Sequence, residues 1–157
     1  MSKEPPEGGY SLQYFDDLQA GMRFVSASRT VEEAEIKAFA GMYDPQPFHT
    51  DPEAAQHSVF RGLAASGWHT AALTMSLLVG GGLPVAGGIV GVNVEIAWPR
   101  PTRPGDTLHV ESEIVEVTPS RSRPDRGMVT ARSETLNQAG EPVQILTSKL
   151  VVPRRPA

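Results

Sequence analysis

Residues 67–82 read GWHTAALTMSLLVGGG, and this stretch predicts the helix around which the fold is built. Its apolar residues recur at helical spacing and trace one stripe, formed by Trp68, Ala71, Ala72, Met75, Leu78 and Val79. Most of the remaining residues are apolar or small as well. We therefore expect this segment to be the longest and most buried helix of the chain.

The sequence changes character after Gly88. Four β-branched runs follow, separated by clusters of Pro, Gly, Asn, Asp and Ser: IVGVNVEIAW (89–98), TLHVESEIVEV (107–117), MVTARSETL (128–136) and VQILTSKLVV (143–152). Upstream, residues 22–31 alternate between two faces and predict a first strand. About five strands and one long helix predict an α+β domain, in which an antiparallel sheet packs on the helix.

Two shorter helices are predicted between the first strand and the long helix. Thr30 and Glu33 have the spacing of a capping box, and apolar residues then recur to predict a helix over 31–41. Asp51 before Pro52 is a favourable N-cap and predicts a helix over 52–57. The prolines of the intervening segment 44–52 predict an extended, stiff loop there.

Length and charge restrict the class of protein. The 157 residues correspond to about one domain, so we expect a disordered tail over 1–9 and a single domain over 10–157. The net charge of −4 argues against nucleic acid as a partner. The start MSKEPPEGGY lacks the order of a secretory signal, and no apolar run reaches membrane-spanning length, so we expect a cytoplasmic protein without membrane contact.

The absence of cysteine restricts the chemistry. The chain has no Cys, which excludes disulfides, a thiolate nucleophile and a cysteine-based zinc site. A metal site on His49, Asp51 and His57 is disfavoured because Asp51 serves better as an N-cap. We therefore expect no metal. His69 and His109 are interpreted as a helix residue and a strand residue.

Asp44 and His49 are the strongest candidates for catalysis. They lie on the proline-stiffened loop, and a His beside a carboxylate can transfer protons near neutral pH. From the residues alone, Asp44 as a turn residue and His49 as a surface residue remain an alternative.

Two further segments carry candidate binding groups. Ser66 and Gly67 begin the long helix, where free N–H groups can stabilise a developing oxyanion, although Ser66 also fits as a plain N-cap. Arg100 and Arg103 follow the second strand and are candidate phosphate contacts. The next hairpin offers the alternatives Arg121, Arg123 and Arg126.

These segments, in this order and spacing, resemble the MaoC-like acyl dehydratases, a family that includes the (R)-specific enoyl-CoA hydratases. The family motif runs Asp, any residue, Asn, Pro, an aliphatic residue, His, any residue and Asp, and here residues 44–51 read DPQPFHTD. FRGLAASG (60–67) matches the small-residue turn before the family's central helix, and PTRPGDTL (101–108) matches a later element.

The resemblance implies a hot-dog fold, in which a strongly curved antiparallel sheet wraps around a long central helix. It also implies a homodimer whose two sheets join, or a higher oligomer of such dimers. The implied substrate is an acyl thioester on coenzyme A or an acyl carrier protein. No cofactor is expected beyond that thioester carrier.

The resemblance also implies a reaction, the reversible hydration of a trans-2-enoyl thioester to a (3R)-hydroxyacyl thioester. Asp44 and His49 are then expected to deprotonate the attacking water. Gly67 would stabilise charge on the thioester oxygen, and Ser66 would orient the loop or the pair. The alternatives are a hot-dog thioesterase and a non-catalytic acyl-thioester-binding subunit, and the pairing of Asp44 with His49 favours hydration over thioester cleavage.

The sequence departs from the family pattern at three positions. Gln46 replaces the Asn, Tyr43 replaces a Gly that often precedes the Asp, and Phe48 replaces an aliphatic residue. We expect these side chains to reposition the loop or reshape the acyl pocket, which changes the acyl group accepted. The small-residue stretch 79–88 is interpreted either as lining of the acyl pocket or as a mobile loop.

Overall fold

The computed structural model describes residues 11–157, so the predicted tail over 1–9 lies outside the described residues. The helices are a 3₁₀ turn at Phe15–Asp17, α1 at Glu33–Tyr43, α2 at Pro47–Thr50, α3 at Pro52–Gln56 and α4 at Gly67–Leu77, which continues as a π-helical segment at Leu78–Gly82. The strands are β1 at Arg23–Val25, β2 at Arg29–Thr30, β3 at Val90–Ala97, β4 at Thr107–Pro119, β5 at Arg126–Leu136 and β6 at Pro142–Pro153.

The strands form one antiparallel sheet in the order β1-β4-β5-β6-β3, and β2 pairs with the start of β4. The long strands β4, β5 and β6 show regular alternation between buried and half-buried positions, as expected when one face is covered. Leu73 and Leu77 of α4 join the sheet residues in a single buried cluster. The predicted α+β architecture is confirmed, including four strands in series after residue 88.

The buried face of the central helix combines leucines with threonines. Thr70 hydrogen-bonds Thr102 at 2.9 Å, and Thr74 hydrogen-bonds Thr135 at 2.6 Å, all four being buried. The predicted apolar stripe lies mostly on the other face, since Trp68 is 61% exposed and Met75 is 41% exposed. Sequence periodicity located the helix but not its buried face, because paired threonines can occupy a core that apolar residues normally fill.

Ser26 divides the predicted first strand into two. Its hydroxyl accepts a hydrogen bond from Val110 N–H at 2.7 Å and donates to the carbonyl of Ala27 at 2.7 Å. A side-chain oxygen thus replaces a backbone carbonyl in the ladder, and regular pairing stops there. The prediction of one continuous strand over 22–31 is therefore wrong, and both short strands pair separately with β4.

The start of α1 lies two residues later than predicted. The side chain of Glu35 accepts a hydrogen bond from Glu32 N–H at 3.0 Å, so Glu32 and Glu35 form the capping box. Thr30 instead belongs to β2, where its hydroxyl hydrogen-bonds Thr107 at 2.9 Å. The predicted box of Thr30 with Glu33 is wrong because sheet pairing removes Thr30 from the helix.

The proline-rich loop contains one helical turn, α2, which corrects the prediction of a fully extended segment. Pro47 occupies the first position of that turn, where its missing N–H has no intrahelical role and its fixed φ suits the helix. The predicted cap of the next helix is confirmed, since Asp51 accepts hydrogen bonds from Glu53 N–H at 3.0 Å and Ala54 N–H at 3.3 Å.

Helices α1 and α4 meet through an aromatic stack. The rings of Phe39 and His69 lie 4.7 Å apart between centroids and are inclined by 9°. This contact brings the C-terminal end of α1 close to the N-terminal end of α4. Asp44 and Ser66, which cap these two ends, are thereby placed within hydrogen-bonding distance of each other.

We predict that His69 makes the fold sensitive to acid. Burial lowers the pKa of His69 below its ordinary value, while Glu35 acts to raise it and Arg29 to lower it. Below pH about 6.5 the unfolded chain binds a proton that the folded chain excludes, so the free energy of unfolding falls as the pH drops. His69→Phe keeps a ring against Phe39 and removes this titration.

The measurement is urea unfolding of wild type and His69→Phe at about pH 7.5 and about pH 5.5, at one fixed protein concentration. The wild type should lose more stability between the two conditions than the variant does. An equal loss in both proteins would contradict the assignment.

Candidate active site

A cavity of about 570 Å³, called the main cavity below, opens between the proline-rich loop, the start of α4 and the segment after β3. It is lined by Asp44, His49, Val59, Phe60, Ala65, Gly67, Trp68, Thr70, Trp98, Pro99, Arg100, Pro101, Thr102 and Arg103. The structure therefore brings the loop, the helix start and the arginine segment to one site.

Asp44 ends α1, and both of its carboxylate oxygens accept hydrogen bonds. Ser66 Oγ donates to Oδ2 at 2.7 Å, and Gln46 Nε2 donates to Oδ1 at 2.6 Å. Burial acts to raise the pKa of Asp44, but these two hydrogen bonds and the nearby His49 outweigh it, so the pKa lies below its ordinary value. The group is a carboxylate at neutral pH.

His49 is buried on α2, and its tautomer follows from its neighbours. Nδ1 lies 2.6 Å from the carbonyl oxygen of Ala64. A carbonyl can only accept, so Nδ1 must carry a hydrogen and donate it. In the neutral imidazole, Nε2 is then the unprotonated nitrogen and can act as a base.

Asp44 and His49 converge at the cavity, with His49 Nε2 3.3 Å from Asp44 Oδ2. In the neutral form of the ring, a lone pair of Nε2 faces a carboxylate oxygen, and the two repel unless a proton lies between them. Either a protonated ring or a water that donates to both atoms removes this repulsion. The pair is therefore suited to bind a water molecule and to take a proton from it.

Ser66 connects the pair to the start of α4. It is fully buried, accepts a hydrogen bond from Trp68 N–H at 3.2 Å, and donates to Asp44. Ser66 is thus both an N-cap and an orienting group for the carboxylate. Gly67 follows at the first helical position, where the N–H has no intrahelical acceptor and the helix dipole favours negative charge.

The indole of Trp98 packs directly on Gly67. A Cβ at position 67 would lie 2.7 Å from Trp98 Cε2, which is too close for any side chain. Trp98 is held in turn by a hydrogen bond from its Nε1 to Gln144 Oε1 at 2.9 Å. Glycine at 67 is thus required by the packing of the cavity wall.

The three residues that depart from the family motif do not line the main cavity. Gln46 contacts Asp44 directly, which fits the predicted loop-positioning role better than a pocket role. Phe48 packs edge-on against His49, with ring centroids 4.5 Å apart, and also contacts Phe60. Tyr43 is 68% exposed, and its ring packs against Phe39.

Arg100 and Arg103 both line the cavity but differ in their contacts. Arg100 is exposed at the rim of the cavity, and its Nη1 pairs with Glu141 at 3.1 Å. Arg103 donates to the backbone carbonyls of Phe60, Gly62 and Leu63. The side chain predicted as a second phosphate contact is thus engaged with the protein itself.

The small-residue stretch 79–88 is separate from this cavity. Several of its residues border a second cavity of about 180 Å³, together with Leu12 and Ile89, and none lines the main one. Within residues 11–157 no three His, Asp or Glu side chains cluster as metal ligands, so His49, Asp51 and His57 do not converge. The described helices include none long and apolar enough to cross a bilayer.

Sequence reasoning missed three contributors to the site. The Ala64 carbonyl that fixes His49 carries no signal in residue type, because any residue supplies a carbonyl. Trp98 and Gln144 meet across two strands whose pairing the sequence did not establish. Thr70 and Thr102 line the cavity through a contact between the helix and a segment 32 residues away.

Comparison with known proteins agrees with this geometry. Residues 18–137 match the family described as MaoC like domain. The chain is 33% identical over 145 residues to an (R)-specific enoyl-CoA hydratase from Rhodospirillum rubrum. This match covers 92% of this chain and 94% of that protein.

Two solved structures are similar over nearly the whole chain. A MaoC-like dehydratase from Rhodospirillum rubrum is 63% identical with a TM-score of 0.91, covering 92% of this chain and 99% of that one. An unliganded R-hydratase from Pseudomonas aeruginosa is 26% identical with a TM-score of 0.71. The match covers 90% of this chain and 86% of that one. The predicted hot-dog fold is confirmed by these neighbours. The chain belongs to the MaoC-like domain family.

Proposed function

We propose that this protein is a hydro-lyase that adds water reversibly to a trans-2-enoyl thioester and forms a (3R)-hydroxyacyl thioester. The observation that carries the proposal is the placement of His49 Nε2 3.3 Å from Asp44 Oδ2 at the cavity, with Nδ1 fixed by a backbone carbonyl. The hydratase relatives supply the reaction class, and the geometry supplies the groups that the reaction needs.

The proposed reaction begins with a water held by Asp44 and His49. The water oxygen bonds to C3 while Nε2 of His49 takes one of its hydrogens. The electrons of the C2–C3 double bond move toward the thioester carbonyl, whose oxygen becomes negative. His49 then returns the proton to C2, which restores the carbonyl and leaves a hydroxyl on C3.

The developing oxyanion is assigned to the N–H of Gly67. This group opens α4, where the partial positive charge of the helix terminus also stabilises an anion. The indole of Trp98 packs against Gly67 and gives that side an apolar wall. Low local polarity strengthens the hydrogen bond to the oxyanion, and this favours the charge that forms during the reaction.

The substrate carrier is assigned to coenzyme A or an acyl carrier protein. Arg100 lies exposed at the rim of the cavity, where it can contact a phosphate of either carrier. No cofactor beyond the thioester carrier is needed for this reaction, since proton transfer and oxyanion stabilisation use protein groups alone.

The proposal of a homodimer rests on apolar side chains that are exposed beside the core. Val94 and Ile96 share one face of β3, because side chains alternate along a strand. Ile96 packs against the core, yet Val94 is 53% exposed. β3 is also an edge strand, and the outward face of α4 exposes Trp68 and Met75. A second copy that pairs through β3 would cover this surface.

The first prediction from the proposed function concerns the catalytic pair. Asp44→Asn and His49→Ala should each lower kcat for hydration of crotonyl-CoA about 10²- to 10⁴-fold, because His49 transfers the proton and Asp44 holds the water that supplies it. The assay follows the loss of enoyl-thioester absorbance, with longer and branched enoyl-CoA thioesters as further substrates. Asp51→Asn is the matched control, since Asn also caps a helix and Asp51 lies outside the cavity.

Retained activity in Asp44→Asn or His49→Ala, with both proteins folded, would contradict the mechanism. If wild type binds an enoyl thioester but neither hydrates nor cleaves it, the non-catalytic alternative applies. Release of free thiol would instead indicate a thioesterase.

The second prediction concerns the pH dependence. Gln46→Glu places a carboxylate beside Asp44 in place of a hydrogen-bond donor, so the pKa of Asp44 should rise. Asp44 acts as a carboxylate, and a raised pKa means that activity is lost at a higher pH during acidification. The acid limb of kcat/KM should therefore move upward.

Gln46→Met is the matched variant that removes the donor without adding charge, and it should produce a smaller shift in the same direction. Acid limbs that coincide in all three proteins would show that Gln46 does not control the ionisation of Asp44.

The third prediction tests the dimer. Val94→Glu should weaken association because it places a charge on the surface that the second copy covers, and sedimentation velocity measures the change. Val115→Glu is the matched control, since Val115 is 48% exposed on β4, which is an interior strand of the sheet. Equal association in both variants would exclude β3 as the interface.

A further inference from the structure

Arg103 makes an unusual set of contacts for a residue that lines a cavity. Its Nη1 donates to the carbonyls of Gly62 at 2.9 Å and Leu63 at 3.2 Å, and its Nη2 donates to the carbonyl of Phe60. One guanidinium thus holds three backbone carbonyls of a short segment. A planar fork of N–H groups on two nitrogens can do this, whereas the three donors of an ammonium lie on one atom and do not match this geometry.

The held segment leads directly to the partner of His49. Ala64 follows Leu63, and its carbonyl accepts the hydrogen bond from His49 Nδ1 at 2.6 Å. The segment is also strained, because Arg61 adopts a φ of 55°, a left-handed value that a residue with a side chain rarely takes. Such strain persists only where surrounding contacts determine the backbone, and the Arg103 guanidinium supplies three of them.

The backbone of Arg103 is itself anchored. Its N–H donates to Asp106 Oδ2 at 2.8 Å, and Gln138 Nε2 donates to the other carboxylate oxygen at 3.0 Å. The neighbouring residue Thr102 accepts a hydrogen bond from Ala65 N–H at 2.9 Å. A rigid connection therefore runs from the sheet, through Arg103, to the turn that carries the Ala64 carbonyl.

We propose that Arg103 is a positioning residue for His49. It holds residues 60–63 so that the Ala64 carbonyl keeps the hydrogen on Nδ1 and leaves Nε2 free to act as the base. The proposal rests on the proposed function for its catalytic consequence. Its structural part, the control of the His49 tautomer, does not depend on turnover.

This role differs from phosphate binding in what kinetics would show. A lost phosphate contact weakens substrate binding and raises KM in a salt-dependent way. A displaced base lowers kcat, since a misplacement of about 1 Å can cost about 10²-fold. Arg100, which lies at the rim of the same cavity, provides the contrast.

The experiment compares Arg103→Ala, Arg103→Lys and Arg100→Ala with wild type over a range of crotonyl-CoA concentrations that reaches saturation. Arg103→Ala should lower kcat about 10- to 100-fold with little change in KM. Arg103→Lys should remain impaired despite its charge, because an ammonium cannot span three carbonyls. Arg100→Ala should mainly raise KM. Guanidinium chloride at about 50 mM should partly restore Arg103→Ala, and sodium chloride at equal concentration should not.

A second readout follows the imidazole directly. Long-range ¹H–¹⁵N NMR at about pH 8 should show His49 protonated on Nδ1 in wild type, with His49→Ala identifying the signals. Arg103→Lys, which keeps the charge, should show a mixture of tautomers. If Arg103→Ala fails to fold, both the kinetics and the NMR measurement are made on Arg103→Lys.

The outcomes separate the two proposals. If wild type hydrates no enoyl thioester but the tautomer changes in Arg103→Lys, the proposed function fails and the positioning role stands. If wild type is active while kcat and the tautomer are unchanged in Arg103→Lys, the positioning role is overturned. A rise in KM that salt abolishes, with normal kcat, would assign Arg103 to phosphate binding instead.

Discussion

The hydrogen bond from His49 Nδ1 to the carbonyl of Ala64 is the constraint on which the site depends. Without it, either ring nitrogen could carry the hydrogen, and the atom facing Asp44 would alternate between donor and acceptor. With it, the neutral ring presents a lone pair beside a carboxylate. That arrangement is unfavourable in an empty site and favourable once a water occupies it.

The surrounding structure maintains this arrangement from both sides. On one side, the stack of Phe39 on His69 brings the end of α1 to the start of α4, where Ser66 donates to Asp44. On the other side, Arg103 fixes the turn before α4. The buried threonine pairs at positions 70 and 102 and at 74 and 135 join α4 to the rest of the domain. The catalytic pair therefore lies at a junction of several fixed elements.

Sequence reasoning predicted what local physics determines. Asp51 before Pro52 was correctly identified as a favourable N-cap, and the four β-branched runs formed four strands. It failed where distant segments compete for the same groups. Ser26 interrupts a strand because its hydroxyl meets Val110, and Thr30 leaves a predicted cap because it pairs with Thr107. Neither partner can be identified from the neighbouring sequence.

The site shows the same division. Asp44, His49, Ser66 and Gly67 could be singled out as candidates from their residue types, and the resemblance to the MaoC-like acyl dehydratases implied their roles. The contacts that hold these residues in place involve backbone groups and residues distant in sequence. Examples are the hydrogen bond from His49 to the Ala64 carbonyl and the hydrogen bond from Trp98 to Gln144. Most of the apolar stripe of α4 faces outward for a related reason, since the buried face combines leucines with threonines that hydrogen-bond to distant segments.

The most direct test of hydration by Asp44 and His49 is to follow crotonyl-CoA turnover in H₂¹⁸O by mass spectrometry with chiral analysis of the product. Hydration through Asp44 and His49 places one ¹⁸O on C3 of a (3R)-hydroxyacyl thioester and leaves the thioester bond intact. Appearance of ¹⁸O in a free carboxylate, with release of coenzyme A, would contradict the claim and identify thioester hydrolysis as the reaction.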